Sequence, residues 1–459
     1  HHSTKGYDFQ LFMIDINGEN LQQITYESEF NAFPMFSPDG KRLVFSSNRQ
    51  QEKARETNVF IADWVESDPA ELAQQKSLKN HITYLASDDL KGRLTGSKEE
   101  QLAADYLVKE FKKLKLKPYD GKNYLQSFEY KVKLNPHDSL AVKNNTGKNV
   151  IAYLDNKASK TIIIGGHYDH LGLNEHNHST KPNSKGEIHN GADDNASGVA
   201  GVLELARMLS QNKTDEKANY IFVLFSGEED GLIGSKFMAE TIKQKYPNVS
   251  LMINLDMIGR LNAMKSLNVG GVGTNPNFTK IVEKNKPAGF NLTLDESGVG
   301  PSDHTSFYLK DIPVLFFFTG THDDYHKPSD DEEKINYYGV RNIVDYVFRV
   351  SNEISELNTI DFVKTKTTAS KSAPKYKVTL GMMPDYTDHG DGLHIDGVTE
   401  NRPAQIAGIL EGDILTKIGT CEIKEVYGYM DCLSKINAGD ELPVTVMRNG
   451  EAKVLMVKF

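Results

Sequence analysis

Residues 160–172 read KTIIIGGHYDHLG. Three consecutive isoleucines leave the segment without a polar side, which predicts a strand buried on both faces that ends in two histidines and an aspartate. The pattern recurs in KNVIAYL at 148–154, YIFVLFSGEEDG at 220–231, SLMINLDMIGR at 250–260 and IPVLFFFTG at 312–320. Between these runs lie helical patterns, SGVAGVLELARML at 197–209 and IGSKFMAETIK at 233–243, and a last long helix covers about 338–357. Doubly apolar strands joined by helices predict an α/β fold, a sheet covered on both faces by helices, with its chemistry at the strand carboxyl ends.

Working outward, Leu78, Ile82 and Leu85 share one helical face, and Leu102, Tyr106, Leu107, Phe111 and Leu114 form a second stripe. This α/β unit spans about 77–358. Ahead of it, residues 1–68 hold short alternating runs divided by Gly, Asn and Pro-Asp-Gly turns, an N-terminal β segment. Its FSPDGKRLVFSSNR, at 36–49, resembles a blade of TolB-like β-propellers, of which only a part is present. After it, KTKTTASKSAPK at 364–375 lies in a polar linker covering 359–375. Residues 376–459 form a separate unit whose TLGMM and GLHIDGVTENRPAQIAGILEGDILTKIG resemble a PDZ domain.

The chain has 459 residues, a net charge of −10, 14 His and two Cys. That charge argues against nucleic acid as the main partner, which needs clustered Lys and Arg. No apolar run reaches the length of a membrane span. Two cysteines exclude a disulfide framework and a four-thiolate zinc site, so any metal must be held mainly by His and carboxylates. The first residues lack the pattern of a secretory leader, which leaves the compartment undecided.

Five places put His or carboxylate at or just after an apolar strand: His167, Asp169 and His170; Asp193 and Asp194; Glu228 and Glu229; Asp256; and Asp323, Asp324 and His326. Singly, each reads as a structural histidine or a helix cap. Together they crowd acids onto corresponding edges of one sheet, and cations relieve that repulsion. Along a strand, the first and third side chains of His167-Tyr168-Asp169 point the same way, so Asp169 is expected to hold the imidazole. Adjacent Glu228 and Glu229 point apart, which allows one to bind metal and the other to work on a water.

The order HYDHLG, NGADDNASG, FSGEED, NLDMIGR, SDHTSF and YHKPSD resembles the co-catalytic di-zinc peptidases of clan MH, the family of bacterial leucyl aminopeptidases and glutamate carboxypeptidases. It covers about 77–357, including LASDDLKGRLTGS at 85–97. The resemblance implies a phosphorylase/hydrolase-like fold, a mixed sheet between helices, and two zinc ions per chain. It also implies that Asp194 bridges them, that His167 and Asp256 complete one zinc and Glu229 and His326 the other, that Glu228 is the general base and that Asp169 orients His167. The expected activity is that of an aminopeptidase acting on peptides. Carboxypeptidase, dipeptidase, glutaminyl cyclase and a non-catalytic peptide-binding scaffold stand as alternatives. The resemblance further implies a periplasmic or extracellular setting.

Asp303 and His304, after Ser302, resemble the family's motif near the substrate pocket; their alternative is a helix cap within a buried polar network. His170, His176, His178 and His189 fall in a polar segment and read as a solvated loop. Met252, Met257 and Phe316 to Phe318 read as core, as do Cys421 and Cys432 in the PDZ-like unit. There, Leu380, Gly381 and Met382 resemble the loop that takes a peptide carboxylate on backbone N–H groups.

Overall fold

The computed structural model describes residues 9–133, 142–212, 217–365 and 378–459, apart from short gaps within them. Residues 69–365 are built on a nine-stranded mixed sheet. Its middle strands, Asn219–Phe225, Thr161–His167, Val249–Leu255 and Val314–Phe318, run parallel in that order. Every residue of the first two is buried, as their unbroken apolar runs predict. Val142–Leu154 and Ser266–Gly270 flank this parallel block with antiparallel pairing. Ser266–Gly270 and its parallel neighbour Asn291–Leu294 alternate in burial and lack the apolar runs that mark the central strands.

Alternation along Thr161–His167 divides the interior in two. Ile162 and Ile164 join a core with the helices Pro69–Leu85, Lys98–Lys113, Gly198–Gln211 and Tyr337–Ser355. Ile163 faces the other way, toward Ile233–Lys245 and His304–Tyr308. Both faces are therefore covered, and loops at the strand carboxyl ends are left to carry polar chemistry.

The first helix opens with Asp68 accepting from the Ala70 N–H at 2.8 Å and Pro69 in the first turn. Its Leu78 and Ile82 are fully buried in this core, and the helix that carries them starts at Pro69, ahead of the expected boundary at 77. The second helix starts at Ser97, whose Oγ accepts from Glu100 N–H at 2.9 Å, while Glu100 Oε2 accepts from Gly96 N–H at 2.6 Å. At the other end, Ile360 is buried and Val363 N–H bonds Thr274 O at 2.9 Å. The expected linker thus begins packed on the sheet unit, and residues 366–377 lie outside the described ones.

The N-terminal segment forms a three-stranded antiparallel sheet, Asn31–Phe36, Arg42–Ser47 and Asn58–Asp63. Leu43 and Phe45 pack with Leu11 on one face, while Met35, Val59 and Ile61 are exposed. The C-terminal unit has its own six-stranded sheet and core, with Leu380, Leu393, Leu415, Val444 and Val457 inside. Cys432 is buried there and Cys421 half-buried, both as free thiols. No helix among the described residues is long and apolar enough to cross a membrane.

Candidate metal centre

Each expected ligand sits where a buried strand gives way to a loop. His167 closes its strand, and Asp256 follows Val249–Leu255 directly. Glu228 and Glu229 come three and four residues after Asn219–Phe225, and His326 lies in the loop after Val314–Phe318. Asp194 lies in the turn ahead of Gly198–Gln211, where the Asp194–Asn195 peptide is cis. That turn requires Gly191: it has φ +56, and a Cβ there would meet Asp194 O at 2.1 Å and His170 Cδ2 at 2.5 Å.

The geometry divides Asp194 between two imidazoles. Its Oδ1 lies 3.3 Å from His167 Nε2 and its Oδ2 lies 3.2 Å from His326 Nε2. Asp256 Oδ1 is 3.3 Å from the same His167 nitrogen, and Glu229 Oε2 is 3.1 Å from that of His326. All five residues are buried. Ligand atoms of His167, Asp194 and Asp256 lie within 4.8 Å of one another, as do those of His170, Asp194 and Glu229. Glu228 Oε2 stands 4.0 Å from His167 Nε2, beside the cluster. Two imidazoles and three carboxylates, converging in a buried place where bare carboxylates repel, fit a divalent cation such as zinc.

Electrostatics follow from that crowding. Burial opposes ionisation of Asp194, yet its bonds to His167 and His326 hold it well below the usual carboxylate range. Glu228 is pushed well above that range by burial and by Glu229, Asp303 and Asp256, against the pull of His167.

Asp169 departs from expectation. The strand ends at His167, so its alternation does not carry on to residue 169, and the bond to His167 Nδ1 comes from the Asp169 backbone carbonyl at 3.2 Å. The carboxylate, 3.8 Å from Nδ1, instead accepts from Thr95 Oγ1 at 2.9 Å, Glu228 N–H at 3.2 Å and Glu229 N–H at 3.3 Å. It orders the turn that presents both glutamates.

The solvated-loop reading of the histidines needs correction. His170 and His189 are buried, because the chain beyond His170 folds back over the centre. His189 Nε2 bonds Ser179 Oγ at 2.8 Å. His170 Nδ1 lies 2.6 Å from Glu229 Oε1, and His176 Nδ1 lies 2.7 Å from Asp230 Oδ1. His178 gives its carbonyl to His326 Nδ1 at 3.1 Å.

Asp303 occupies the capping position of His304–Tyr308 but makes no capping bond. Both its oxygens are buried without a hydrogen bond, and burial pushes its pKa up to about 7. His304 stacks on Phe316 at 4.3 Å between ring centroids, and burial lowers its pKa to about 3. In the C-terminal unit, Gly381 N–H donates to Thr379 Oγ1 at 3.1 Å and Leu380 O accepts from Ala404 N–H at 2.7 Å, just ahead of Met382 in the first strand.

Two residues without an assigned role complete the surroundings. Arg93, fully buried, donates to Tyr168 O at 2.8 Å, Asn190 O at 2.6 Å, Gly191 O at 3.2 Å and also Leu85 O. Asp330 Oδ2 accepts the N–H groups of Asp193 and Asp194 at 2.9 and 3.0 Å, and burial pushes its pKa up to about 6. Both stand inside quoted motifs, LKGRLTGS and YHKPSD, and a charged residue within such a motif was the signal available. Asp193 and Asp324 serve structure: Asp193 Oδ1 accepts from Gly259 N–H at 2.6 Å, and Asp324 pairs with Arg260 at 2.7 Å.

Residues 149–351 match the model of peptidase family M28, and residues 377–459 match that of the PDZ domain. Over 177 residues the chain is 30% identical to a probable leucine aminopeptidase of Arthroderma otae, covering 37% of this chain and 45% of that one. Over 101 residues it is 43% identical to a probable zinc metalloprotease of Pyrenophora teres f. teres, covering 22% of this chain and 20% of that one. The matches thus span under half the length of these curated relatives. Among solved structures, a glutaminyl cyclase of Porphyromonas gingivalis shares the fold with a TM-score of 0.50 and 19% identity, covering 61% of this chain and 98% of that one. All five converging residues fall inside the matched region, so the chain carries a peptidase family M28 domain followed by a PDZ domain.

Proposed function

We propose that this chain is a zinc-dependent exopeptidase, an aminopeptidase that binds two zinc ions and removes N-terminal residues from peptides. The observation that carries the reading is the division of Asp194 between His167 and His326, with Glu228 outside the ligand set but beside it. His167, Asp194 and Asp256 would hold one zinc, and Asp194, Glu229 and His326 the other. Zinc, when bound, supplies Lewis acidity toward the scissile carbonyl and the attacking water.

Glu228 takes the proton from that water and returns it to the leaving amine, a task suited to a carboxylate whose pKa lies above the ordinary range. Asp169 keeps Glu228 in place through its backbone N–H. The crowding of Glu228, Glu229, Asp256 and Asp303 makes the surroundings acidic, which favours a substrate carrying a free α-ammonium over one presenting a carboxylate. The PDZ domain, through residues 380–382, is proposed to take a peptide C-terminus. Export to the periplasm or exterior belongs to the same proposal and rests on the family resemblance; cell fractionation tests it.

A panel of aminoacyl amides, N-blocked peptides and N-terminal glutamine peptides, with zinc counted per chain, tests the activity. Release of N-terminal residues from free-amine substrates alone, with two zinc per chain, is the expected result. Cleavage of blocked peptides, cyclisation of glutamine, or a single zinc would replace it.

A further inference from the structure

We infer that His170 is a positioning residue for Glu229, so that the Glu229/His326 half of the centre has its own support, separate from that of the His167/Asp256 half. The inference rests on the two-zinc reading above. Glu229 is held from both sides: Oε1 lies 2.6 Å from His170 Nδ1, and Oε2 lies 3.1 Å from His326 Nε2. A carboxylate only accepts, so Nδ1 carries the hydrogen, and this bond fixes the rotation of the Glu229 carboxylate that directs the other oxygen toward His326.

His170 itself has little freedom. Its ring packs against the Gly191 backbone so closely that no Cβ fits there, and its own N–H bonds Arg93 O at 3.4 Å. The ring is fully buried, and Nε2 has no hydrogen bond. An apolar side chain would fill this volume without an unpartnered nitrogen, so the bond to Glu229 is what the imidazole adds.

The same stretch of chain holds the other ligand of this half. His178 O accepts from His326 Nδ1 at 3.1 Å, while Ser179 Oγ and Thr180 N–H donate to His326 O at 2.9 and 3.0 Å. The His167/Asp256 half leans on other groups: the Asp169 carbonyl on His167 Nδ1, and Ser302 on Asp256. Residues 170–180 therefore serve one half-site and leave the other to different elements.

The test is zinc titration of the full chain by calorimetry against a competing chelator, paired with visible spectra of the cobalt-loaded protein. Wild type is expected to bind two equivalents. His170→Leu should keep the first equivalent and weaken the second about 10- to 100-fold, with loss of the second cobalt band. His170→Asn, which returns an N–H donor near the position of Nδ1, should recover most of that affinity. Should the Leu variant fail to fold by circular dichroism, His170→Ala provides the same comparison with Asn. Unchanged affinity for both equivalents in His170→Leu, or equal weakening of both without rescue by Asn, overturns the inference. A wild-type chain that takes up only one zinc overturns the two-zinc reading instead, and the inference then falls only if that zinc binds the Leu variant as tightly.

Discussion

Ser302 Oγ donates a 2.7 Å hydrogen bond to Asp256 Oδ2, the oxygen turned away from His167. Ser302 in turn accepts from Asn254 Nδ2 at 2.8 Å, so the ligand is braced from its own strand. Ser302→Ala removes the brace without opening the core. Zinc affinity is expected to fall about 10- to 100-fold with the fold retained, as read by competition with a chelating dye.

Glu228 lies beside the ligand set rather than within it. Glu228→Gln is expected to keep its full zinc content while turnover of a free-amine substrate falls by about 10²- to 10⁴-fold. Metal analysis and steady-state kinetics on the same preparation decide this, and normal turnover would refute the assignment of the proton to Glu228.

Arg93 joins three separate backbones through carbonyls of Leu85, Tyr168, Asn190 and Gly191, and burial lowers its pKa to about 10 even with Asp169 and Asp194 nearby. Arg93→Met leaves those carbonyls and acids without their cation. A loss of about 3–5 kcal/mol is expected in urea unfolding of the zinc-free protein.

Glu100 has its pKa raised from the ordinary 4.5 to about 8, chiefly by burial, with bonds from Ser226 and Gly96 opposing. Below pH 4.5 both folded and unfolded chains hold the proton. Between 4.5 and 8 only the folded chain holds it, so this group costs stability progressively as pH rises through that window. Glu100→Gln imitates the protonated acid and removes the effect. Stability measured from pH 5 to 8 should fall less steeply for the variant, and parallel curves would refute the assignment.

Reading the sequence succeeded where one strand decides an answer. An unbroken run such as Ile162 to Ile164 has no face that water can take, so the sheet and its functional end were both legible. Asp256 could be placed because it follows that kind of run directly. His170 was misread because burial by a distant return of the chain leaves no periodic mark. Asp169 holds His167 through its backbone carbonyl rather than its carboxylate because the strand stops two residues earlier, and an alternation rule has no meaning beyond a strand's end. The packed start of the linker is hidden for a related reason: Ile360 and Phe362 are two isolated packing contacts, too few to show a period.

The five candidate ligands stand at separate strand ends and loops, joined by hydrogen bonds such as those of Asp169 to the Glu228 and Glu229 N–H groups and of Asp330 to those of Asp193 and Asp194. Zinc bound as proposed would add a further tie among them, so its supply would bear on how long the molecule survives as well as on turnover. A chain made in zinc-poor conditions would lack that tie and be cleared sooner by neighbouring proteases, so the amount of protein would track the metal.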